Sequence, residues 1–263
     1  MLKNITMGQY YPVDSFVHRL DPRIKIVLTI AFIVAVFMVH SLVGYAIVLG
    51  FVYLTARMAN IPFKMLTKGL KPLRFILILT FILNLFFTTE GTTLLRLGFI
   101  HITVEGLSQA VHYSLRLMFL VVGTSLLTLT TSPIMLSDGI ELLLSPLKRF
   151  HFPAHELGMM MSIALRFIPT LLEETDKIQK AQMARGADFE SGNLLQRAKA
   201  MVPLFVSAFR RAGDLAMALE ARCYHGGEHR TRMRVLKITQ HDYLACAAMA
   251  GLILLIVVEG LIL

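Results

Sequence analysis

Residues 26–56, IVLTIAFIVAVFMVHSLVGYAIVLGFVYLTA, run for 31 positions without an Asp, Glu, Lys or Arg. A membrane-crossing helix needs ~20 apolar residues, so this run is long for one span and short for two. It reads as two tilted or short helices turning near His40 to Gly44. Working outward, three more apolar runs follow. One starts after Arg74 (FILILTFILNLFFTT) and ends at Glu90; one covers Leu107 to Thr131, with an uncharged stretch from Leu117 to Ser137; the last runs from Tyr243 to Val258. Hydrophobic residues make up 56% of the chain and charged ones 16%, with a mean hydropathy of +0.65. That composition excludes a soluble globular protein and a disordered one. The fold expected is all-α: a polytopic helical membrane protein with about five transmembrane helices.

The formal charge of +9 would suggest a nucleic-acid partner in a soluble chain. Here the enrichment of Lys and Arg in cytoplasmic loops explains it, and no nucleic acid is expected. Lys3, Arg19, Arg23 and Lys25 precede the first span, and Arg57, Lys64, Lys68, Lys71 and Arg74 link the second to the third. The turn between the first two has no Lys or Arg, and between the third and fourth Arg96 is offset by Glu90 and Glu105. Alternation then places the N-terminus inside, Leu263 outside, and residues 132–241 in the cytoplasm. This block holds 15 of the 26 Lys and Arg and 11 of the 17 Asp and Glu. The start of the chain lacks the basic, apolar and small-residue pattern of a cleaved signal, so residues 1–23 are expected in the mature protein.

The cytoplasmic block has helical periodicity. Glu156 to Arg185 carries Leu157, Met160, Met161, Ala164, Phe167, Ile168, Leu171, Leu172 and Ile178 on one side, and Leu194 to Arg222 repeats the pattern. Two long amphipathic helices follow, with Pro169 and Pro203 expected to kink them, after a shorter amphipathic piece near Ile134 to Leu147. The expected organisation is residues 1–131 as the N-terminal segment and first four spans, 132–241 as a cytoplasmic helical domain, and 242–263 as the last span.

Catalytic signatures are absent. No G-x-x-x-x-G-K-[ST], G-x-G-x-x-G or G-x-S-x-G occurs, so the chain should not bind nucleotide by itself. His151, His155 and Glu156, or His225 with Glu228 and His229, have spacings that invite a metal. Solvated histidines are the better reading, and neither a metal nor a cofactor is expected. Cys223 and Cys246 are too few for a disulfide framework. Within the spans Asn84 reads as an interhelical hydrogen bond and Arg116 as an interfacial, snorkelling side chain. So few ionisable groups at mid-membrane argue against an autonomous secondary carrier, the principal alternative; an intramembrane enzyme using the His/Glu clusters is a second rival, which stoichiometric metal and metal-dependent turnover would favour.

The two long helices end alike: Gln182-Met183-Ala184-Arg185-Gly186 and Leu219-Glu220-Ala221-Arg222-Cys223. Helix capping alone explains a terminal cation followed by glycine. A planar guanidinium is also suited to a partner's carboxylate or carbonyl groove.

With DSFVHRLDPRIKI at 14–26, ALRFIPTLLEE at 164–174, QMARGAD at 182–188 and ALEARCYHGGEHRTRM at 218–233, the chain resembles the T component of energy-coupling factor (ECF) transporters, bacterial uptake systems for vitamins and trace metals. Its N-terminal pattern is closer to the type shared among many substrate-binding chains than to the dedicated cobalt or nickel type. The resemblance implies a multi-pass protein of the bacterial cell membrane that couples transport and is not itself an enzyme. Two Ala-Arg-Gly motifs would dock on two ATP-binding-cassette ATPase subunits, and the part in the lipid bilayer would grip a membrane-embedded substrate-binding S component. The docking residues implied are Ala184, Arg185 and Gly186, then Ala221, Arg222 and Cys223. Cys223 stands where glycine is expected, which predicts a less glycine-like exit from the second helix.

Overall fold

The computed structural model describes residues 10–87, 93–97, 100–150, 152–186, 194–226, 236 and 238–262. Helices dominate: α1 (Pro22–Met38), α2 (Leu42–Met58), α3 (Phe63–Leu70), α4 (Arg74–Phe87), α5 (Val104–Thr130), α6 (Pro133–Leu144), α7 (Ala154–Ala184), α8 (Leu194–Glu220) and α9 (Gln240–Ile262). The all-α expectation holds, with one addition. Between α4 and α5 lies a short antiparallel hairpin, β1 (Thr93–Leu97) with β2 (Ile100–Thr103), pairing Leu97 with Ile100 and Arg96 with His101. In the sequence this segment reads as a plain connection between two spans.

Two compact units emerge, residues 8–139 with 236–263 and residues 140–235. In the first, the turn expected near His40 is made by Ser41, whose hydroxyl accepts from the N–H groups of Val43 and Gly44, both at 3.1 Å, and so starts α2. The 17 residues of α1 and of α2 make rods of roughly 25 Å, short of a ~30 Å hydrocarbon core, in keeping with two short helices. By length and composition α5 and α9 can each cross a membrane, and α3 with α4, bent by 62°, makes a third candidate if the pair is one span.

The core of this unit is where α1, α2, α5 and α9 meet: Phe32, Val36 and Val39 from α1, Tyr45 and Val48 from α2, Phe119 from α5, and Leu252 and Ile256 from α9. Gly123 is required by this packing, since a Cβ there would stand 2.4 Å from the Phe32 ring. A smaller cluster of Ala56, Ala59, Ile61, Leu66 and Leu129 ties α2, α3 and α5 together. Outward faces stay apolar: Phe75 is 74% and Phe87 79% exposed. In water such a surface would aggregate, whereas against lipid it is the expected one.

The basic N-terminal stretch, which in the sequence serves only to set orientation, is woven into the base of the unit. Asp21 caps α1 by accepting from the Arg23 N–H (2.9 Å) and also binds its guanidinium (2.9 Å). Asp242, buried in the first turn of α9, accepts from the Asp21 N–H (2.8 Å), the Thr239 N–H (2.7 Å) and the Thr239 hydroxyl (2.9 Å). Lys25 is buried and donates to the carbonyls of His18 (3.1 Å) and Thr130 (3.0 Å). His18 in turn donates from Nε2 to the Tyr11 carbonyl (3.0 Å) and accepts at Nδ1 from Ser15 (2.7 Å). Burial lowers its pKa and favours this neutral tautomer. The segment before α1 is thereby fastened to the end of α5 and the start of α9.

Of the two polar residues singled out in the spans, Asn84 differs from expectation. Asn84 donates to Thr80 O (2.8 Å) one turn back in α4 itself, and among the described residues it bridges to no second helix. Arg116 lies over the rings of Phe37 (5.4 Å) and Tyr113 (5.6 Å) and reaches the Val39 carbonyl (3.4 Å). That carbonyl belongs to the C-terminus of α1, where a cation is favoured.

Candidate functional site

In the unit of residues 140–235, α7 runs unbroken for 31 residues through Pro169, and α8 for 27 through Pro203. Neither proline ends its helix. Glu174 on α7 clamps the pair, accepting from Ser207 and ion-pairing with Arg211, both on α8. The Ser207 hydroxyl, followed by Arg211, holds the Glu174 carboxyl below its ordinary pKa, so it stays ionised at neutral pH. Long apolar side chains remain uncovered: Met160 and Met183 on α7, and Phe205, Val206, Phe209 and Met217 on α8.

The helix exits are alike in their backbone. In α7, Arg185 occupies the cap, its N–H bonding Gln182 O (3.0 Å), and Gly186 follows at φ +86° with its N–H on Met183 O (3.0 Å). In α8, Arg222 occupies the same place, with its N–H on Leu219 O (3.1 Å). Cys223 follows at φ +53°, its N–H on Glu220 O (2.9 Å), and Tyr224 closes the turn on Leu219 O (3.0 Å). This is a left-handed C-terminal cap of the Schellman type. The expectation of a less glycine-like exit is therefore corrected, because Cys223 adopts the left-handed conformation that glycine would.

Ala184, Arg185, Gly186, Ala221, Arg222 and Cys223 are all exposed. Backbone N–H groups close both helix ends, and among the described residues neither guanidinium makes a hydrogen bond or ion pair. Capping by the arginine side chains is thus not what these positions supply. A Cβ on Gly186 would meet nothing within 4 Å, so Gly186→Ala should lose only backbone preference, about 1 kcal/mol of stability, whereas Cys223→Gly should gain about as much. Thermal unfolding of the two purified variants checks the opposite signs.

The histidine clusters do not assemble a metal centre among the described residues. His155 pairs through Nδ1 with Glu141 (2.9 Å), and His225 with the Cys223 carbonyl (2.9 Å). His151, Glu228 and His229 lie outside the described residues.

Comparison with known proteins gives the family. The CbiQ family, described as "Cobalt transport protein", matches residues 14–233. A protein of Thermosediminibacter oceani named "Energy-coupling factor transporter transmembrane protein EcfT" is 56% identical over 251 residues, covering 94% of both chains. The chain belongs to the family of ECF transporter transmembrane proteins. Members with the same name from Clostridium kluyveri (53% identical, covering 93% of each chain) and Bacillus subtilis (49%, covering 92% of this chain and 93% of the relative) bear this out. As an EcfT-family protein the chain is the transmembrane component of an ECF transporter and lies in a membrane. The family match takes in both helix exits and, of the polar weave, Ser15, His18, Asp21, Arg23, Lys25 and Thr130. What sequence reading missed in that weave was the pairing of Asp21 with Asp242, for which only the charged DPRIK stretch offered a signal.

Proposed function

We propose that this chain is the non-catalytic transducer of an ATP-driven ECF importer, with Arg185 and Arg222 docking on two ATP-binding-cassette ATPase subunits and the membrane-embedded unit holding an S component. The observation that carries this reading is the pair of helix ends that leave a guanidinium exposed and, among the described residues, uncommitted while the backbone completes its own cap. Residues 132–241 then form the cytoplasmic coupling domain, between spans in 1–131 and the last span in 242–263. ATP binding closes the two ATPases, and their approach displaces two anchored helix ends. The Glu174 link to Ser207 and Arg211 makes α7 and α8 answer together. For transport to follow, ATP must favour one arrangement of the complex over the other. Recognition of cargo resides in the S component.

Reconstitution tests this. The purified chain alone should neither hydrolyse ATP nor accumulate substrate, and both activities should return when two ATPases and an S component are co-expressed with it. ATP turnover by contaminant-free chain, or uptake by the chain alone on an ion gradient, would refute the assignment. Orientation has its own check in an exposed native thiol. In a Cys246→Ala background, Cys223 should resist an impermeant maleimide in intact cells and react once the membrane is opened.

A further inference from the structure

A half-enclosed cavity of about 460 Å³ lies among α1, α2, α5 and α9. Its walls are apolar, including Leu28, Phe32, Phe51, Leu126 and Ala248, and the exposed side chains of Leu54, Met58 and Leu244 stand along it. Such walls do not hold ordered water. A helix ~10 Å across with a ~5.4 Å pitch takes up roughly 420 Å³ per turn, so a space of about 460 Å³ holds little more than one turn of it. In a unit whose outer faces meet hydrocarbon, the neighbour that fits is a single lipid tail.

One end of the cavity is chemically distinct. Lys25 in the first turn of α1, Thr130 at the last residue of α5, Met58 at the last residue of α2 and Leu244 near the start of α9 all line it, so it reaches the end of the bundle where Arg23 and Arg57 stand. Lys25 is 5% exposed, and its ammonium donates to two carbonyls, leaving one proton unassigned. Among the described residues no carboxylate lies within ion-pair distance of it. Asp21 is taken up by Arg23, and Asp242 by the Asp21 N–H and Thr239. Asp242 and Asp21 act on the ammonium only from beyond contact, so an anionic oxygen in direct contact is what this cation lacks.

We infer that the groove is a binding site for one anionic phospholipid of the adjacent leaflet, its acyl chain between α1, α2, α5 and α9 and its phosphate at Lys25. The site stands on the membrane-embedded unit alone and is independent of the docking role given to the arginines.

The chain contains no tryptophan, so Leu244→Trp places a single reporter on the exposed rim. In vesicles, tail-brominated phosphatidylglycerol should quench this indole about fivefold more effectively than tail-brominated phosphatidylcholine at equal mole fraction, the preference one basic residue confers. Adding Ala248→Phe, which fills the groove without touching Lys25, should bring the quenching by both lipids down to the same low level. Lys25→Gln should keep tail contact and lose the preference; if that variant misfolds, the Ala248→Phe comparison decides. Equal quenching by the two lipids in the Leu244→Trp chain, or a preference that survives Ala248→Phe, would overturn the site. So would a photoreactive side chain at Ala245 that captures another protein chain, rather than phospholipid, in the assembled transporter.

Discussion

The Arg185→Ala/Arg222→Ala double variant should reach the membrane at normal levels and lose substrate uptake together with ATPase attachment. Each guanidinium is exposed and, among the described residues, unengaged, so removing it costs the isolated protein little. A pure capping role predicts a loss of ~0.3–1 kcal/mol in stability. At a docked interface the loss is ~2–5 kcal/mol per arginine, since the partner's buried acceptors are stranded. That corresponds to roughly 30-fold or more in affinity for each end. The single variants should therefore retain a partly attached complex, and the double variant should release both ATPases. Lysine substitutions should restore attachment incompletely, because the ammonium lacks the planar fork. The measurement is ATPase pull-down and substrate uptake at matched membrane levels. Wild-type attachment and uptake by the double variant would reduce both arginines to ornaments of helix ends.

Which parts of this were legible beforehand follows from how each kind of information is written in a chain. Membrane helices announce themselves by composition, so α4, α5 and α9 fall close to the apolar runs at 75–89, 107–131 and 243–258. The long helices α7 and α8 declare their lengths through periodicity and their ends through Ala-Arg-Gly and Ala-Arg-Cys. The left-handed Cys223 was not legible, because residue preference at φ > 0 favours glycine and asparagine and says nothing for cysteine. The hairpin at 93–103 escaped because its five- and four-residue strands fall below what alternation can establish. Asn84 was misassigned because composition reveals a polar residue in a span but not which carbonyl is nearest. Lys25 enters the sequence reading only as one of the positive charges that set orientation, and nothing in its neighbourhood along the chain announces the two carbonyls that hold it inside the fold. The Asp21 to Asp242 contact joins positions 221 residues apart, a relation no local window contains.

That long-range contact carries the second large effect. Asp242→Ala should destabilise the membrane-embedded unit by about 2–4 kcal/mol, the range expected when buried donors lose a charged acceptor. Three donors converge on this carboxylate: the Asp21 N–H, the Thr239 N–H and the Thr239 hydroxyl. Thr239 is exposed and recovers water once the carboxylate is gone. The amide of Asp21 does not, since Asp21 is 5% and Asp242 1% exposed. The carboxylate also stands in the first turn of α9, where negative charge complements the helix dipole. Its loss removes a cap of α9 and the tie that holds the start of α1 against it in one step. Asp242→Asn preserves the shape and one accepting oxygen and should cost less than half as much. Asp214→Ala, at an exposed position of α8, serves as the matched control and should stay within about 0.5 kcal/mol of wild type. Thermal denaturation of detergent-purified protein ranks the three, and limited trypsin cleavage at Arg19 and Arg23 reports whether the N-terminal segment has come loose. Should Asp242→Ala denature with the Asp214→Ala control and remain resistant at those arginines, the segment before α1 is held by Lys25 and His18 alone.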